Sequence, residues 1–336
     1  MIRIGINGYG RIGRGIHRQT LDIENIQVVA VNSRAGADSH ALLLKRDSIY
    51  GTLDAEVEVE GNDLKVNGEI IKVFQERDPE NVPWGDLDVD VVIESTGKFT
   101  KRGDAKRHIQ SGAKKVVITA PCKDETVQTL VMGVNHEQYD PHNFDVVSNA
   151  SCTTNALAPT MKVLDEVFGV ENAIVTSIHA FTYTQNLLDN SNLDDFRRAR
   201  ATTESIIPTT TGAMAAISQV LPSLDGKVQG MAFRVPIPTV SVLDMKVRFN
   251  GPVTADEINE AFLKAESEQM MGILGTSDEP LVSVDYRGDT RSAIIDMIST
   301  KVAGDRDAQL IVWYDNEWGY ISRVVDLIHW IMTNGN

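Results

Sequence analysis

The feature that most constrains the fold is a glycine-rich turn close to the N-terminus. Gly8, Gly10 and Gly13 form a G-x-G-x-x-G pattern that follows an apolar run at 2–6 and opens a segment with helical spacing at 12–21. Glycines at this spacing allow a tight turn and a close backbone approach to a pyrophosphate, which the helix N-terminus attracts. The same pattern also occurs as an ordinary turn in α/β proteins. In this strand–turn–helix context we interpret it as a dinucleotide-binding loop.

Strand-like and helix-like segments alternate through the first 150 residues. Strands are predicted at 2–6, 26–31, 89–94, 115–119 and 146–148, and helices at 12–21, 39–45 and 103–111. The broken alternation at 54–73, interrupted by two glycines, predicts an antiparallel hairpin pair. Strands separated by helices imply a parallel sheet that is covered on both faces. We therefore predict a Rossmann-type α/β domain over 1–150.

The pattern changes after residue 150. A helix is predicted at 153–168, and strands at 173–178, 229–235, 240–248, 281–284, 293–296 and 309–314. Turn residues separate many of these strands, which favours an α+β domain with a mostly antiparallel sheet over 151–317. The long segment 180–203 has no clean period, and loops of this length are usually functional. A C-terminal helix over 318–336, with apolar spacing at 321–332, is assigned to the first domain.

Charge and composition exclude several classes of protein. The net charge of −15 argues against a nucleic-acid binder, which carries a basic face to neutralise phosphates. No apolar run approaches the ~20 residues that span a bilayer, and the N-terminal strand does not resemble a signal peptide. The two cysteines fit neither a disulfide framework nor a zinc site. We therefore expect a reducing, cytoplasmic location, no membrane association and no metal.

The end of the second predicted strand bears on the choice of dinucleotide. NAD-binding proteins of this fold usually place an acidic residue there, where it binds the ribose 2′-OH. In this chain Asn32 is followed by Ser33 and Arg34, so no carboxylate would repel a 2′-phosphate and Arg34 can pair with one. Alternatively, Arg34 is a solvated surface residue. The first interpretation favours tolerance of NADP.

Two residues of the second domain are candidates for covalent chemistry. Cys152 lies where a polar loop enters a helix, and the helix dipole is expected to lower the pKa of its thiol. His179 follows an apolar strand, where an imidazole can serve as a base and partner of the thiol. The alternatives are an inert, half-buried thiol and a structural imidazole. A cysteine nucleophile beside a nicotinamide suggests oxidation of an aldehyde through a thioester, which either water or phosphate then attacks.

The other cysteine and histidines are given no chemical role. Cys122 follows Ala120-Pro121 and is predicted to be structural. The remaining histidines fall on predicted helix faces or in loops and are expected to be solvated: His17, His40, His108, His136, His142 and His329.

Seven motifs occur in order along the chain and carry a resemblance to a known family. They are NGYGRIGR at 7–14, ESTG at 94–97, SNASCTTN at 148–155, RRAR at 197–200, TTTGA at 209–213, RVP at 234–236 and WYDNEWGY at 313–320. Together they resemble the phosphorylating (type I) glyceraldehyde-3-phosphate dehydrogenases, from residue 1 to about residue 330. The cysteine block and the Trp–Tyr block are each highly specific for that family.

The resemblance implies a role for each matched position. It makes Cys152 the nucleophile that forms the hemithioacetal and the thioester, and His179 the group that activates the thiol and shuttles a proton. Residues implied to bind the phosphate of glyceraldehyde 3-phosphate or the attacking inorganic phosphate are Ser151, Thr153, Thr182, Arg198, Thr211, Gly212 and Arg234. Residues implied to line the cofactor site, in addition to the glycines of the loop, are Asn7, Arg11, Ile12, Arg77, Thr96, Gly97, Thr119, Asn316 and Tyr320. The loop 180–203 implies a homotetramer, because in this family it reaches a neighbouring subunit's cofactor pocket.

The chain departs from the commonest NAD-type pattern of the family. Ser33 replaces the ribose-binding acid, and Asn190-Ser191 replaces the Leu-Pro pair usual in NAD-specific members. Small polar residues at these positions resemble members that use NADP, so we expect NADP or dual use of NAD and NADP. Ala156 replaces a second cysteine that often follows the nucleophile, and Thr184-Gln185 replaces an Asp-Gln pair.

The resemblance leaves some alternatives open. An erythrose-4-phosphate dehydrogenase would share the cysteine and the histidine but prefer water as the acyl acceptor. The same site could also use arsenate, which mimics phosphate in size and charge. A binding protein on a dehydrogenase scaffold would be marked by loss of Cys152 or His179, and both are present. The leading expectation is reversible oxidation of glyceraldehyde 3-phosphate to 1,3-bisphosphoglycerate, in glycolysis or gluconeogenesis.

Overall fold

The structure is a computed structural model that describes residues 1–192 and 195–334. The chain divides into two compact units. The first unit comprises residues 1–130, 136–150 and 321–336, and the second comprises 131–135 and 151–320. Positions 335 and 336, the last two of the predicted C-terminal helix, lie outside the described residues, as do positions 193 and 194 of the predicted loop.

The first unit is built on a nine-stranded sheet. Its strands are β1 (Ile2–Asn7), β2 (Ile26–Asn32), β5 (Val57–Glu60), β6 (Asp63–Val66), β7 (Glu69–Phe74), β8 (Val91–Glu94), β9 (Lys115–Ile118), β10 (Gln128–Thr129) and β11 (Val146–Ser148), and the short pair β3 (Arg46–Asp47) and β4 (Gly51–Thr52) stands apart. The order is β10-β11-β9-β8-β1-β2-β7-β6-β5. The seven strands from β10 through β1 to β7 pair in parallel with their neighbours in this order. Strands β5, β6 and β7 form the predicted antiparallel hairpins.

Helices α1 (Arg11–Thr20), α2 (Ala37–Lys45) and α3 (Arg102–Gln110) occur in the first unit. The central strand β1 is buried over its last four residues. Trp84, whose side chain is fully buried, packs so closely on β1 that a Cβ built on Gly5 would lie 2.5 Å from its ring. The predicted Rossmann-type parallel sheet is confirmed.

The second unit contains a sheet of eight strands. Its elements are α4 (Cys152–Phe168), β12 (Val170–Ala180), β13 (Ile207–Thr209), α5 (Ala213–Val220), β14 (Val228–Val235), β15 (Ser241–Phe249), α6 (Ala255–Ser267), β16 (Leu274–Ser277), β17 (Ala293–Asp296), β18 (Lys301–Ala303) and β19 (Asp307–Tyr314). The strand order is β13-β14-β12-β15-β19-β17-β16, with β18 paired to β19. Pairs β12–β14 and β16–β17 are parallel and the other pairs are antiparallel, so the mostly antiparallel sheet is also confirmed.

One predicted strand of the second unit is wrong. Residues 281–284 were expected to be a strand, but a 3-10 turn occupies Ser283–Tyr286. The backbone N–H of Val282 donates to the Asp285 carboxylate at 2.8 Å. Such a local side-chain bond offers the backbone an alternative to a sheet ladder. Helices α5 and α6 and strands β13, β16 and β18 were not predicted.

The last helix, α7 (Trp318–Asn334), begins three residues before its predicted apolar spacing. Asp315 caps its N-terminus, because its carboxylate accepts the backbone N–H groups of Glu317 and Trp318 at 2.9 and 3.0 Å. Among residues 1–192 and 195–334, no helix is both long enough and apolar enough to cross a membrane.

Candidate active site

The first turn of α4 places the candidate nucleophile. Ser151 is the N-cap of this helix, and its hydroxyl accepts the backbone N–H of Thr154 at 3.1 Å. Cys152 is consequently the first residue of the helix and is partly buried. The cap therefore fixes both where the helix starts and where the thiol lies.

The candidate base comes from the end of a strand. His179 is the second-last residue of β12, and its Nε2 lies 3.4 Å from Cys152 Sγ. The other ring nitrogen, Nδ1, lies 2.7 Å from the carbonyl oxygen of Ala180 and 2.5 Å from Nη1 of Arg234. The carbonyl accepts and the guanidinium donates, so Nδ1 has a partner in either tautomer. Nε2 can therefore face the thiol either with or without the ring proton.

Strand register places Arg234 at this site. Strand β14 runs parallel to β12 with His179 paired to Arg234, so both residues lie at the carboxyl ends of their strands, at the same edge of the sheet. Arg234 Nη1 donates to the Ala180 carbonyl at 3.1 Å, while its Nε is buried without a hydrogen-bond partner in the part of the chain that the structure describes. A buried donor without a partner is uncommon and suits a ligand that accepts hydrogen bonds, such as an oxyanion.

The electrostatics of the pair differ from the sequence-based expectation. Burial raises the pKa of the Cys152 thiol, and the Arg234 charge opposes this only in part. Burial, followed by the Arg234 charge, lowers the pKa of His179 to about 3. The expectation that the helix N-terminus gives a low thiol pKa was wrong, because desolvation of the thiolate is the largest effect. These shifts favour the uncharged thiol and the uncharged imidazole.

The guanidinium of Arg198 also contributes to the electrostatic field at the site. Burial lowers the pKa of Arg234, and the charge of Arg198 lowers it further. Arg198 is held by Thr209, whose hydroxyl accepts from its Nε at 2.9 Å, and by an ion pair with Asp195 at 3.3 Å. Two cations that repel each other in this way favour an anion that binds both.

Tyr314 forms a wall of the site that the sequence analysis did not assign. Its hydroxyl lies 3.1 Å from Oγ1 of Thr153 and 3.1 Å from Oγ of Ser177, and its ring packs edge-on to His179 at 6.0 Å between centroids. Burial raises the pKa of Tyr314, so its phenol stays protonated. The only sequence signal was the alternation of β19, which points Tyr314 and Val312 to the same buried face.

The glycine-rich turn in the first unit has the geometry of a dinucleotide cradle. Gly8 has a φ of 97°, and a Cβ on it would lie 2.7 Å from the Ser95 backbone. A Cβ on Gly13 would lie 2.4 Å from the Gly8 carbonyl oxygen. Gly10, the N-cap of α1, has no side chain with which to cap the helix and has open space around it. The turn thus requires glycine and leaves room for a phosphate at the helix N-terminus.

Comparison with known proteins identifies the family. The model of the glyceraldehyde 3-phosphate dehydrogenase NAD binding domain matches residues 2–102, and that of the C-terminal domain of the same family matches residues 151–316. The chain belongs to the glyceraldehyde-3-phosphate dehydrogenase family. It is 53% identical over 334 residues to the glyceraldehyde-3-phosphate dehydrogenase of Geobacillus stearothermophilus, with 99% of each chain covered. It is 51% identical to glyceraldehyde-3-phosphate dehydrogenase 1 of Bacillus subtilis (99% of each covered) and 46% identical to the enzyme of Eremothecium gossypii (99% and 100% covered). The resemblance inferred from the seven motifs is confirmed.

Some phosphate-binding positions implied by the dehydrogenase family are engaged by their own neighbours in this structure. The Ser151 hydroxyl serves the α4 cap, and that of Thr153 bonds Tyr314. The Thr182 hydroxyl contacts that of Thr184 at 2.9 Å, and Thr211 accepts the backbone N–H of Ala213 at 3.2 Å. Gly212 follows as the N-cap of α5. The structure thus brings Thr153 and Arg234 to the cysteine–histidine pair, whereas within residues 1–192 and 195–334 neither Thr182 nor Thr211 forms a hydrogen bond with that pair.

Among the cofactor positions implied by the dehydrogenase family, Asn316 has a fixed amide. Its Oδ1 accepts from the Ser241 hydroxyl at 2.9 Å, and that hydroxyl accepts the backbone N–H of Ala180 at 3.0 Å. Because the single Ser241 proton goes to Asn316, the Asn316 NH2 group must point away from Ser241. Val240, which directly precedes Ser241, has a φ of 65°, a strained value for a β-branched residue. Ser241 was not among the predicted site residues, because no local pattern marks it.

The other implied cofactor positions divide by burial. Asn7 and Tyr320 are buried, Ile12, Ser33 and Thr119 are half-buried, and Arg11, Arg34, Arg77, Thr96, Gly97, Asn190 and Ser191 are exposed. Arg11 forms an ion pair with Asp47 at 2.9 Å. Asn190 Oδ1 accepts the backbone N–H of Ser191 at 2.8 Å, which leaves the Ser191 hydroxyl on the surface of the loop.

The expectation that all six remaining histidines are solvated was wrong for three of them. His17, His40 and His108 are buried, and burial lowers the pKa of His17 to about 4. His136 is half-buried against Trp330, while His142 and His329 are exposed. Cys122 is buried and its thiol pKa is raised to about 11, in keeping with a structural role. The described residues contain no group of three or more His, Cys, Asp or Glu side chains that could hold a metal ion.

Proposed function

We propose that this chain oxidises glyceraldehyde 3-phosphate and couples the oxidation to phosphate, giving 1,3-bisphosphoglycerate reversibly. The observation that carries the proposal is the pair of Cys152 Sγ and His179 Nε2 at 3.4 Å, beside the half-buried guanidinium of Arg234. In this proposal, residues 1–150 with the C-terminal helix bind the dinucleotide. Residues 151–317 perform the chemistry and form the subunit contacts.

The dinucleotide fits the glycine-rich turn, because that turn excludes any Cβ at Gly8 and Gly13 and opens at Gly10. When bound, NAD(P)+ supplies the hydride acceptor for the oxidation. The residues that would hold it in the first unit are Asn7, Gly8, Gly10, Arg11, Ile12, Gly13, Ser33, Arg34, Arg77, Thr96, Gly97 and Thr119. Those in the second unit are Asn190, Ser191, Asn316 and Tyr320. Ser241 would aim the Asn316 NH2 group at a carbonyl oxygen of the nicotinamide amide.

Cys152 and His179 would move the electrons and protons of the covalent steps. Sγ attacks the aldehyde carbon while Nε2 of His179 takes the thiol proton and passes it to the former carbonyl oxygen, which gives a hemithioacetal. Nε2 then removes the hydroxyl proton as this carbon is oxidised, and a thioester remains on Cys152. Attack by a phosphate oxygen breaks the C–S bond, and the returning thiolate recovers a proton from His179. The low pKa of His179 keeps the imidazole uncharged before it accepts the thiol proton and before it accepts the hydroxyl proton, which are the two steps in which it acts as a base.

Arginines and hydroxyls would hold the two phosphates. The buried Nε of Arg234 needs an acceptor, and Arg198 adds a second cation to the same field. We propose that Thr182, Arg234 and Arg198 bind the phosphate of the substrate, and that Ser151, Thr153, Thr211 and Gly212, with Arg198 shared, bind the attacking phosphate. The hydroxyls would exchange their present internal partners for phosphate oxygens.

Cofactor preference is proposed to favour NADP, or to be dual. Ser33 has its backbone N–H bonded to Phe74 at 3.0 Å and bears no charge that would repel a 2′-phosphate, and Arg34 beside it is exposed. Exposed Asn190 and Ser191 add hydroxyl and amide donors of the right type. A higher kcat/KM with NAD than with NADP, measured on the same preparation, would contradict this preference.

A homotetramer is proposed from the loop that leads to β13. Large apolar side chains on this loop are strongly exposed in the single chain: Tyr183, Leu187, Leu188, Phe196 and Ile206. So many apolar side chains on one segment indicate a protein interface. A cytoplasmic location is proposed because Cys122 and Cys152 are both free thiols.

The function is tested by following the absorbance of reduced cofactor with purified protein and glyceraldehyde 3-phosphate. NAD and NADP are each tried with and without inorganic phosphate. Reduction that depends on phosphate supports the proposal, and loss of that reduction in Cys152→Ser and His179→Asn assigns it to the pair. Turnover that ignores phosphate, or that prefers erythrose 4-phosphate, would refute the phosphorylating assignment.

A further inference from the structure

A buried chain of polar side chains lies below the glycine-rich turn of the first unit. It begins at Trp84, passes through His108 and Glu94, and reaches Asn7 and Thr96. Except for Thr96, these side chains are almost completely buried, with exposures of 0–2%. The proposed function assigns Asn7 and Thr96 to the cofactor site but gives no role to the buried imidazole.

The donor and acceptor capacities of these side chains fix the proton positions in this hydrogen-bond network. Trp84 Nε1 can only donate, and it donates to His108 Nδ1 at 3.1 Å. Nδ1 is therefore an acceptor, so the ring is neutral and its proton is on Nε2. Nε2 lies 3.1 Å from Glu94 Oε2, to which it donates. The indole thus selects the tautomer of His108 that satisfies the buried carboxylate.

Glu94 in turn links the two loops that flank the cofactor position. Its Oε2 also accepts from Asn7 Nδ2 at 2.5 Å, and its Oε1 accepts both from the backbone N–H of Thr96, at 2.8 Å, and from the Thr96 hydroxyl. All four acceptor positions of the carboxylate are therefore used. If the donor from His108 were lost, one acceptor position of the buried Glu94 would be left unsatisfied, which favours a shift of the carboxylate and, with it, of Asn7 and Thr96.

The hydrogen-bond network continues to β2, the strand beside which the ribose would lie. Asn32 Nδ2 donates to Asn7 Oδ1 at 2.7 Å, and Asn32 Oδ1 accepts the backbone N–H of Glu76 at 2.8 Å. Glu76 directly precedes Arg77, another proposed cofactor residue. The network consequently ties together the loops that follow four neighbouring parallel strands, β8, β1, β2 and β7.

We propose that His108 is a positioning residue for the dinucleotide, which holds Glu94 so that the loops at Asn7 and Thr96 keep the shape that the cofactor needs. Trp84 serves this role by setting the His108 tautomer. The inference rests on the proposed function, because it assumes that these loops bind NAD(P). It adds a residue on α3, 11 residues after the ESTG motif at 94–97 and outside every motif that carries the resemblance.

The test compares variants that alter the donor offered to Glu94. His108→Leu removes that donor, His108→Gln keeps an N–H that can reach the carboxylate, and Trp84→Phe removes the indole N–H together with part of the buried ring. Phe74→Leu is the matched control, because Phe74 packs edge-on to Trp84 at 6.5 Å between centroids and is not part of the network. For each protein, the Kd for NAD and NADP is measured by calorimetry, together with kcat, the KM for glyceraldehyde 3-phosphate and the melting temperature.

His108→Leu is expected to raise the dinucleotide Kd about tenfold or more, because a hydrogen bond to a buried charge is lost. The kcat at saturating cofactor and the KM for glyceraldehyde 3-phosphate should stay within about twofold. His108→Gln should recover most of the affinity, and Trp84→Phe should lose about threefold. In protein labelled with 15N-histidine, the His108 ring should show its proton on Nε2, and Trp84→Phe should mix the two tautomers.

A merely structural role predicts different results. If His108→Leu and Phe74→Leu lower the melting temperature alike and change the Kd alike, the positioning role is refuted. A wild-type ring with its proton on Nδ1 also refutes it, and this measurement needs no variant to fold. A wild-type protein that binds neither dinucleotide overturns the proposed function instead, and this inference with it.

Discussion

Removing the Tyr314 hydroxyl tests how the wall of the active site is held. The phenol oxygen is buried and bonds two other buried hydroxyls, those of Thr153 and Ser177, each at 3.1 Å. Tyr314→Phe keeps the ring against His179 but leaves both hydroxyls without this partner. A hydrogen bond contributes about 1 kcal/mol net, and an unsatisfied buried group costs about 1–3 kcal/mol. The expected loss in the free energy of unfolding is therefore about 2–4 kcal/mol.

A double-mutant cycle with Ser177→Ala separates the hydrogen bond from general packing. Ser177→Ala alone should lose about 1 kcal/mol, because Tyr314 retains its bond to Thr153. The double variant should be more stable than the sum of the single losses predicts, by about 1 kcal/mol, since it leaves no unpaired hydroxyl at position 177. Urea unfolding at constant pH measures all four proteins. Losses that add without coupling would refute the hydrogen bond and, with it, the placement of the Tyr314 phenol.

Three further outcomes follow from the site and its surroundings. Ser241→Ala frees the Asn316 amide to rotate, so the KM for the dinucleotide should rise about three- to tenfold. The KM for glyceraldehyde 3-phosphate should stay within about twofold. Equal changes in both KM values would contradict the role of Ser241 in orienting the Asn316 amide. Arg234→Met should raise the KM for glyceraldehyde 3-phosphate at least a hundredfold, and it should also raise the pKa of His179. Arg234→Lys keeps the positive charge and should retain the low pKa of His179. An NMR titration that resolves the individual histidines measures both pKa values. His17 is buried with a pKa of about 4, against 6.5 in the unfolded chain, so the unfolded state binds a proton first as the pH falls. The free energy of unfolding should therefore drop by about 1.4 kcal/mol per pH unit between pH 6.5 and pH 4. In urea titrations, His17→Leu should remove that part of the pH dependence.

Local features of the fold and site were predictable from sequence. The requirement for glycine at Gly8 and Gly13 follows from the close backbone approach that a strand–turn–helix unit imposes, and both positions show it. The start of α4 was predictable to within one residue, because Ser151 is a typical N-cap. Such features depend on a few neighbouring residues and therefore leave a clear pattern.

Features that depend on tertiary contacts were not predictable. The burial of His108 arises from partners 14 and 24 residues away, Glu94 and Trp84, and nothing near His108 in sequence indicates either bond. The raised thiol pKa of Cys152 has the same origin: the helix N-terminus is visible in the sequence, but the surrounding protein that desolvates the thiolate is not. The error at 281–284 arose because Asp285 captures a backbone N–H, which alternating apolar residues do not reveal.

The pairing of β12 with β14 shows why topology, more than any single motif, determines the chemistry proposed here. In a sheet whose strand pairs are otherwise mostly antiparallel, these two strands run in parallel, so their carboxyl ends share an edge. His179 and Arg234, 55 residues apart in sequence, are thereby paired in register. An antiparallel β14 in the same place would carry Arg234 to the opposite edge, leaving the imidazole without its cation and the site without the Arg234 donor for an anion. The segment between the two strands, which contains Arg198, Thr211 and α5, is the crossover that a parallel pair requires, so the elements proposed to bind phosphate lie on the connection that creates the pair.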